Sequence, residues 1–336
     1  MRLAYFIVRR LFLLPAVAIG VMIIVFLIAY VVPADPVYLF IGQESDPQLV
    51  ARVRSELGLD QPIWTQFYIY VRNFLRGNFG MCWSTRNSVR VDLATRLPAT
   101  FELVFISLLL CIMFAFPLGL YAAVKRDSIG DHFVRIISTV GVAVPGFWLA
   151  LVLIYVFFYQ LGWAPAPTGR IGVRTLVKPI TGFYLLDTLL KRDWKTFGEV
   201  WAHLALPVAA ISFRSIAHLT RLIRTSMLEV LESDFVQAEM AQGLSKRLIY
   251  YRLALKNALL APITQIGEQF GTLIGGTVVI ELIFAWPGAG RWAISSALAG
   301  DFAPIQAFTV ICAIIRVLVF LITDIAYAVI DPRIRY

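Results

Sequence analysis

Charge is scarce in this chain: Asp, Glu, Lys and Arg make up only 15% of 336 residues, against 59% hydrophobic ones. A soluble globule of that make-up would be covered in apolar surface, so the balance, with a mean hydropathy of +0.77, describes an integral membrane protein. Cysteine is scarce too: Cys82, Cys111 and Cys312 are too few and too scattered for a disulfide framework or a metal cluster. No G-x-x-x-x-G-K-[ST] loop is present, so the chain is not expected to bind ATP itself. Nor is there an H-E-x-x-H, a G-x-S-x-G or a close His/Asp/Glu cluster, which leaves no catalytic set, no bound cofactor and no metal site to expect. Low-complexity tracts and strong internal repeats are absent as well.

What is present is a series of apolar runs near the ~20 residues that cross a bilayer. The first, from Leu11 to Val32, has a basic start like a signal peptide but is long enough to span, and no small-residue cleavage site follows. Five more cover 101–124, 136–161, 204–222, 263–285 and 305–330, the fourth interrupted by Arg214 and His218. The expectation is therefore an all-α polytopic protein with six transmembrane helices. Its parts are a first span over 1–32, an extracytoplasmic segment over 33–95 with amphipathic helices, a transmembrane domain over 96–330 and a tail over 331–336.

An excess of 30 Lys+Arg over 21 Asp+Glu suits flanks of spans and anionic lipid head groups better than nucleic acid. The tight basic clusters Arg2/Arg9/Arg10, Lys125/Arg126, Arg221/Arg224 and Arg333/Arg335 fall on one side, which is expected to be cytoplasmic with both termini. A raw tally does not decide it. Termini and inner loops hold 14 of the 30 and outer loops 14, with Arg214 and Arg316 inside spans. The two long outer segments count poorly in that rule.

Between the fourth and fifth runs, 233–262 is too polar to span. Ser233 is placed to cap a helix over 234–242, Gly243 to end it at positive φ, and Ser245 to cap a second helix running to about Leu260. On the second, Leu248, Tyr251, Leu255, Ala258 and Leu259 recur at helical spacing, with Arg252 and Lys256 on a polar face. Taken alone, this pattern fits a connector helix on its own bundle, a helix-turn-helix, or a cytoplasmic element that docks on a partner protein.

The stretch AEMAQGLSKRLIYYRLALKNALLAP (238–262) resembles the cytoplasmic EAA loop of ABC importer permeases, in the form carried by the B-type subunits for dipeptides, oligopeptides and nickel. Also similar, in the same order along the chain, are ELGLDQP (56–62), RLPATFEL (96–103), VKRDSIGDH (124–132), RLIRTSMLEVL (221–231), FAWPGAGRW (284–292) and DPRIR (331–335). The resemblance implies the type I importer fold and four kinds of partner or neighbour: a homologous second permease, two cytoplasmic ATPase subunits that use the ATP, an extracytoplasmic substrate-binding protein and membrane lipid. It implies a coupling role for Ala238, Glu239, Ala241, Gly243, Leu244, Ser245, Arg252, Lys256, Asn257 and the helix-ending Pro262. KPITGFYLLDT (178–188), in the outer lobe over 162–203, is most similar to dipeptide-type members, which favours peptides over nickel or another solute. Glu239 and Gln242 stand where the family usually has basic residues, Leu253 where it has His, and Pro262 one residue late.

Inside the spans, Gly267, Gly271 and Gly275 make a smooth helical face, for packing or for lining a path. Glu268 and Glu281 bracket that span and are expected to face water or a cavity, Glu281 as an interfacial or a pathway residue. Arg316 and Asp324 share a face about 12 Å apart along the last span, and Arg316 either lines a cavity or meets a partner on another span. Asp324 and Glu268 are also the carboxylates that an ion-driven secondary transporter would need. In FAWPGAGRW, Trp286 and Trp292 suit an interfacial aromatic belt. Alternatively Trp286, Pro287, Gly288, Gly290 and Arg291 form an outer gate or a binding-protein contact.

Overall fold

A computed structural model describes residues 2–31, 46–56, 58–172, 175 and 177–330. The segment 32–45 and the end 331–336, with the DPRIR motif, lie outside the described residues, as do the side chains of Arg2, Arg9 and Arg10. Among the described residues the regular structure is helical, apart from an isolated antiparallel bridge between Met81 and Ser88. That is the expected answer to an apolar solvent, where each backbone N–H and C=O must find its partner within the chain.

Helix α1 is Arg2–Val31, followed by α2 (Pro47–Glu56) and α3 (Ile63–Leu75). One face of α3 carries Phe67, Tyr70 and Phe74, which stack on one another, on Phe26 of α1 and on Phe79. Trp64, Tyr68 and Leu75 remain exposed on the other faces.

Helix α4 (Val89–Val124) starts well before the expected 101, because Ser88 caps it by accepting from the Val91 N–H. Its 36 residues extend about 54 Å, longer than the ~30 Å hydrocarbon layer. The same holds for the helix expected at 204–222, which runs as α8 over Trp194–Leu231, capped by Asp193. α4 and α8 make the most extensive helix–helix contact of the fold. Gly119 permits it, since a Cβ there would lie 2.8 Å from both Ile223 Cβ and the Thr220 carbonyl.

The single span expected over 136–161 is instead two helices, α5 (Ile129–Ala143) and α6 (Gly146–Leu153, continuing as a π-helix over Ile154–Gln160), bent by 102°. Pro145 is the cause: it lacks an N–H and pushes Val144 out of the helical region, to φ −74°, ψ 124°. The start of α5 is fixed by Asp131. Its buried carboxylate accepts from the Asp127 N–H at 3.0 Å and receives both Nε (2.6 Å) and Nη2 (2.8 Å) of Arg224 on α8. This accounts for much of the VKRDSIGDH stretch.

A lobe of mostly irregular chain follows, with α7 (Tyr184–Leu190) inside it. Asp187 organises this lobe by accepting from the Thr181 N–H (2.8 Å) and hydroxyl (2.7 Å) and from the N–H groups of Ile180 and Gly182 (both 3.1 Å). Arg170 then clamps the lobe to α4: it pairs with buried Glu102, donates to the Gly182 carbonyl and lies 3.5 Å from the Tyr184 ring centroid.

After α8 come α9 (Asp234–Ala241), α10 (Lys246–Leu248, passing into a π-helix over Ile249–Ala254) and α11 (Leu255–Ala258). The expected fifth span, 263–285, is α12 (Leu260–Gly276) and α13 (Val278–Ile283). α14 (Ala289–Leu298) and α15 (Phe302–Ile330) complete the order. Three of these helices, α4, α8 and α15, are long and apolar enough to cross a membrane on their own. The bent α5–α6 pair makes a fourth if taken as one span, and Leu14–Ala29 of α1 is a shorter apolar stretch.

α12 packs on α15 through two of the three glycines. A Cβ on Gly267 would collide with the Thr323 hydroxyl, and one on Gly271 would lie 2.9 Å from Arg316 Cγ. Gly275 departs from the expected packing face, with nothing near it.

Gly267→Ala should therefore lower the apparent unfolding midpoint of the purified protein, by about 1–3 kcal/mol relative to Gly275→Ala, which only gains helix propensity. For Asp187, burial pushes the carboxyl up, but the donors of Thr181, Ile180 and Gly182 outweigh it and hold it below the usual carboxylate range. A carboxyl depressed in the folded state contributes its stabilisation above the unfolded value of ~3.9 and loses it as pH falls through the lower folded one. Hydrogen-exchange protection of the 180–182 amides should accordingly persist at neutral pH and fade below about pH 4. Asp187→Asn should weaken it at every pH.

Candidate functional site

Two regions stand out, a mainly apolar groove with several polar side chains halfway along the helices and the 233–258 element at one end of them. The groove, about 500 Å³, lies between the α5–α6 bend (Val142, Gly146, Phe147), α8 (Ala210 to His218) and α12–α13 (Gln265 to Ile280). That volume is in the ~300–1,000 Å³ range of small-molecule sites.

Along its walls Arg214 and His218 sit one turn apart on α8, facing Gln265, Glu268, Gln269 and Thr272 on α12. Gln269 is committed to structure, donating to the Ser215 carbonyl at 3.5 Å and accepting from the Cys111 thiol at 3.6 Å. Glu268 faces the groove, as expected of it. Arg214 and His218, which read in the sequence as flaws in a span, are lining residues. Their signal was present: an intramembrane cation marks a cavity more often than a weak span.

Arg316 does not line this groove. Its stem covers Gly271 of α12 and its guanidinium lies 5.6 Å from the Phe320 ring centroid, which matches the second of its two expected roles, contact with another span. Asp324 is half-buried on the same helix and does not line the groove either.

At one end of the bundle the FAWPGAGRW loop folds around Glu281. This carboxylate is fully buried rather than facing water or the interface. It accepts from the Thr100 hydroxyl (2.7 Å), the Thr277 hydroxyl (3.4 Å) and the Arg291 N–H (2.7 Å). A Cβ on Gly288 would strike the carboxyl itself, which is why the loop needs glycine there. Ala285, at φ 50°, turns the chain out of α13 and sends Trp286 inward, where its indole donates to the Ala99 carbonyl at 2.9 Å. Trp286 and Trp292 are both buried, so neither belongs to an interfacial belt. Of this loop, Pro287 is exposed and Arg291 half-buried. Sequence reasoning could not find the Glu281–Thr100 contact, because its partners are 181 residues apart.

At the other end, α9 is held by one buried residue, Val236, in a cluster with Ala123, Met227, Ile249, Ala254 and Ala258. Phe235, Ala238, Met240, Ala241 and Gln242 face outward, and Glu239 is half-buried. Gly243 adopts φ +81°, as its position requires, and Leu244 packs on the cluster. Ser245 accepts from the Leu248 N–H at 3.4 Å, a cap as expected. Ser233 does not cap in that way: its hydroxyl donates back to the Val230 carbonyl at 2.6 Å.

The apolar stripe also differs from expectation. The π-turn widens the helix, so the buried positions are Ile249, Ala254 and Ala258, five and then four apart, while Tyr251 turns outward. Arg252, Lys256 and Asn257 are exposed. Pro262 does not end a helix. It is buried in the first turn of α12, where a missing N–H goes unnoticed.

The family profile described as the binding-protein-dependent transport system inner membrane component matches residues 115–336, and that of the N-terminal part of such components matches 3–104. The chain is 39% identical over 332 residues to the di/tripeptide transport system permease protein of Pseudomonas aeruginosa, covering 98% of each. To the probable D,D-dipeptide transport system permease protein of Escherichia coli it is 39% identical over 328 residues, covering 97% of this chain and 96% of the other. To the glutathione transport system permease protein of the same species it is 33% identical over 334 residues, covering 99% of each.

Glu281→Ala should strand the Arg291 N–H and the Thr100 hydroxyl in a buried site, a loss of about 1–3 kcal/mol for each unmet group. Loosening of the loop is then read as faster tryptic cleavage after Arg291, whereas Glu268→Ala should leave that cleavage rate unchanged.

Proposed function

The chain belongs to the inner-membrane components of binding-protein-dependent transport systems, and from that premise we propose that its groove is one wall of a solute path driven by ATP hydrolysis in partner subunits. It is a permease subunit of an ABC importer for peptides, a bacterial inner-membrane protein of several spans. The observation that carries the path reading is the groove itself, with Arg214, His218 and Glu268 kept at membrane depth where unpaired charge is costly.

Six spans fit best: α1, α4, α5–α6, α8, α12–α13 and α15, with both termini and the 233–262 loop in the cytoplasm. The Lys125/Arg126 and Arg221/Arg224 clusters at the α9 end support that orientation. A homologous permease closes the groove, a binding protein delivers solute to the 284–301 end, and two ATPase subunits engage α9. In α9 and its neighbours, Ala238, Ala241, Gly243, Leu244 and Ser245 form the knob. Glu239 adjusts its fit to the partner, and Arg252, Lys256 and Asn257 present the polar flank. The relatives' names supply the solute class, with peptides ahead of nickel or another solute.

The coupling route has a physical basis. From Lys246 to Gly276 the chain is helical apart from Leu259, so displacement of the α9 knob reaches Glu268 and Gln269 through a nearly continuous rod. Nucleotide state then shifts the bundle between two arrangements only through differential contacts with that knob.

Reconstituted with its partners, the complex should import dipeptides on ATP addition and without an ion gradient. Uptake that follows the gradient and ignores ATP would favour a secondary transporter. Gly243→Val, which forces a β-branched residue to φ +81°, should keep ATP hydrolysis while cutting uptake per ATP at least about tenfold. Normal coupling in that variant would contradict the docking geometry.

A further inference from the structure

We propose that the groove holds a two-charge station for a zwitterionic solute, in which Arg214 and His218 receive the carboxylate end of a short peptide and Glu268 receives its ammonium end. This deepens the path reading above and rests on it.

The argument begins with how the chain treats its other inward carboxylates. Glu102 is met by Arg170 and the Leu185 N–H, Asp131 by Arg224, and Glu281 by Thr100 and the Arg291 N–H. Each is buried and matched within the chain. Arg214 and Glu268 break that pattern. Both line the groove, both are exposed to it, and among the described residues neither the guanidinium nor the carboxylate has a hydrogen-bond or ion-pair partner.

Two opposite charges left open on facing walls select for a ligand that carries both. A simple anion would meet Glu268, and a simple cation would meet Arg214, each with repulsion that offsets the attraction. A short peptide with free ends has one charge for each wall. Between them Gln265 offers an amide, and Thr272, whose hydroxyl donates to the Glu268 carbonyl at 2.9 Å, offers an acceptor oxygen to its peptide bond. Exposed charges of this kind bind weakly, which suits a site that must also release its ligand.

The test uses the purified complex without its binding protein, so that the permease's own preference is read. Thermal unfolding is followed with dialanine, its N-acetyl derivative and its C-terminal amide, since a ligand stabilises by RT ln(1 + [L]/Kd). Free dialanine should raise the midpoint more than either blocked form, by an amount equivalent to about tenfold tighter binding. Arg214→Gln should abolish the advantage of the free peptide over the amide and keep its advantage over the acetyl form. Glu268→Gln should do the reverse, and Arg214→Lys should largely restore the wild-type ranking. If Arg214→Gln does not assemble, His218→Gln tests the same wall.

A wild-type complex that treats the three ligands alike overturns the station, as do variants that keep the wild-type ranking. ATP-driven uptake by the same wild-type complex, reconstituted in vesicles and supplied with its binding protein, separates the two failures. Uptake with a flat ranking removes only the station, and no uptake with the partners present removes the path reading beneath it.

Discussion

Every polar side chain carried into an apolar surround must be met by a partner, or the chain pays for its desolvation, and that constraint shapes this molecule more than any single packing contact. Glu102, Asp131 and Glu281 are carboxylates with buried side chains, and each joins segments far apart in sequence. Glu102 holds the irregular lobe to α4. Asp131 ties the start of α5 to α8, and Glu281 gathers the 286–291 loop against Thr100. Because removal of either member leaves the other unmet, such contacts fix geometry more firmly than apolar packing, which is non-directional.

Against that background the groove is a deliberate departure. Its polar groups are not all gathered into internal pairs; Arg214 and His218 stand on α8 and Glu268 on α12, the helix that follows the 246–258 segment with a break only at Leu259. That rod thus follows the partly exposed knob of α9, carries a polar flank at its start and has groove-facing groups along its middle. Gly267 and Gly271 let it lie close on α15, so a shift of the rod would slide it against Thr323 and Arg316 rather than lift it away. Shear of closely packed helices is a low-amplitude motion that keeps the core filled.

The long apolar helices α4, α8 and α15 were legible in the sequence because hydropathy is a sum over many residues and tolerates local error. Their ends were not, since Ser88 and Asp193 cap helices that run on beyond the apolar runs. The broken α5–α6 span hid within a continuous hydrophobic run, although Val144–Pro145 carried the local signal. Gly243 and Ser245 were legible because positive φ and capping are local matters. The buried stripe was not, because a π-turn changes the spacing from regular to five and four. Glu281, Trp286 and Trp292 were misread for a different reason: their burial comes from segments near Thr100 and Cys82, which no local pattern announces.

Arg316 and Arg214 show how much sequence position alone leaves open. Both are single cations in apolar helices, and the sequence leaves a cavity role and a packing role open for Arg316. In the fold the Arg316 stem lies over a glycine and its head near an aromatic ring, which is how a long cationic side chain covers apolar surface. Arg214 points instead to a space bounded by a proline bend and a carboxylate-bearing helix. Both charges are costly in lipid, and of the two it is Arg214 that lines the groove. A cation's neighbours, rather than its position in an apolar run, decide whether it covers another helix or lines a groove.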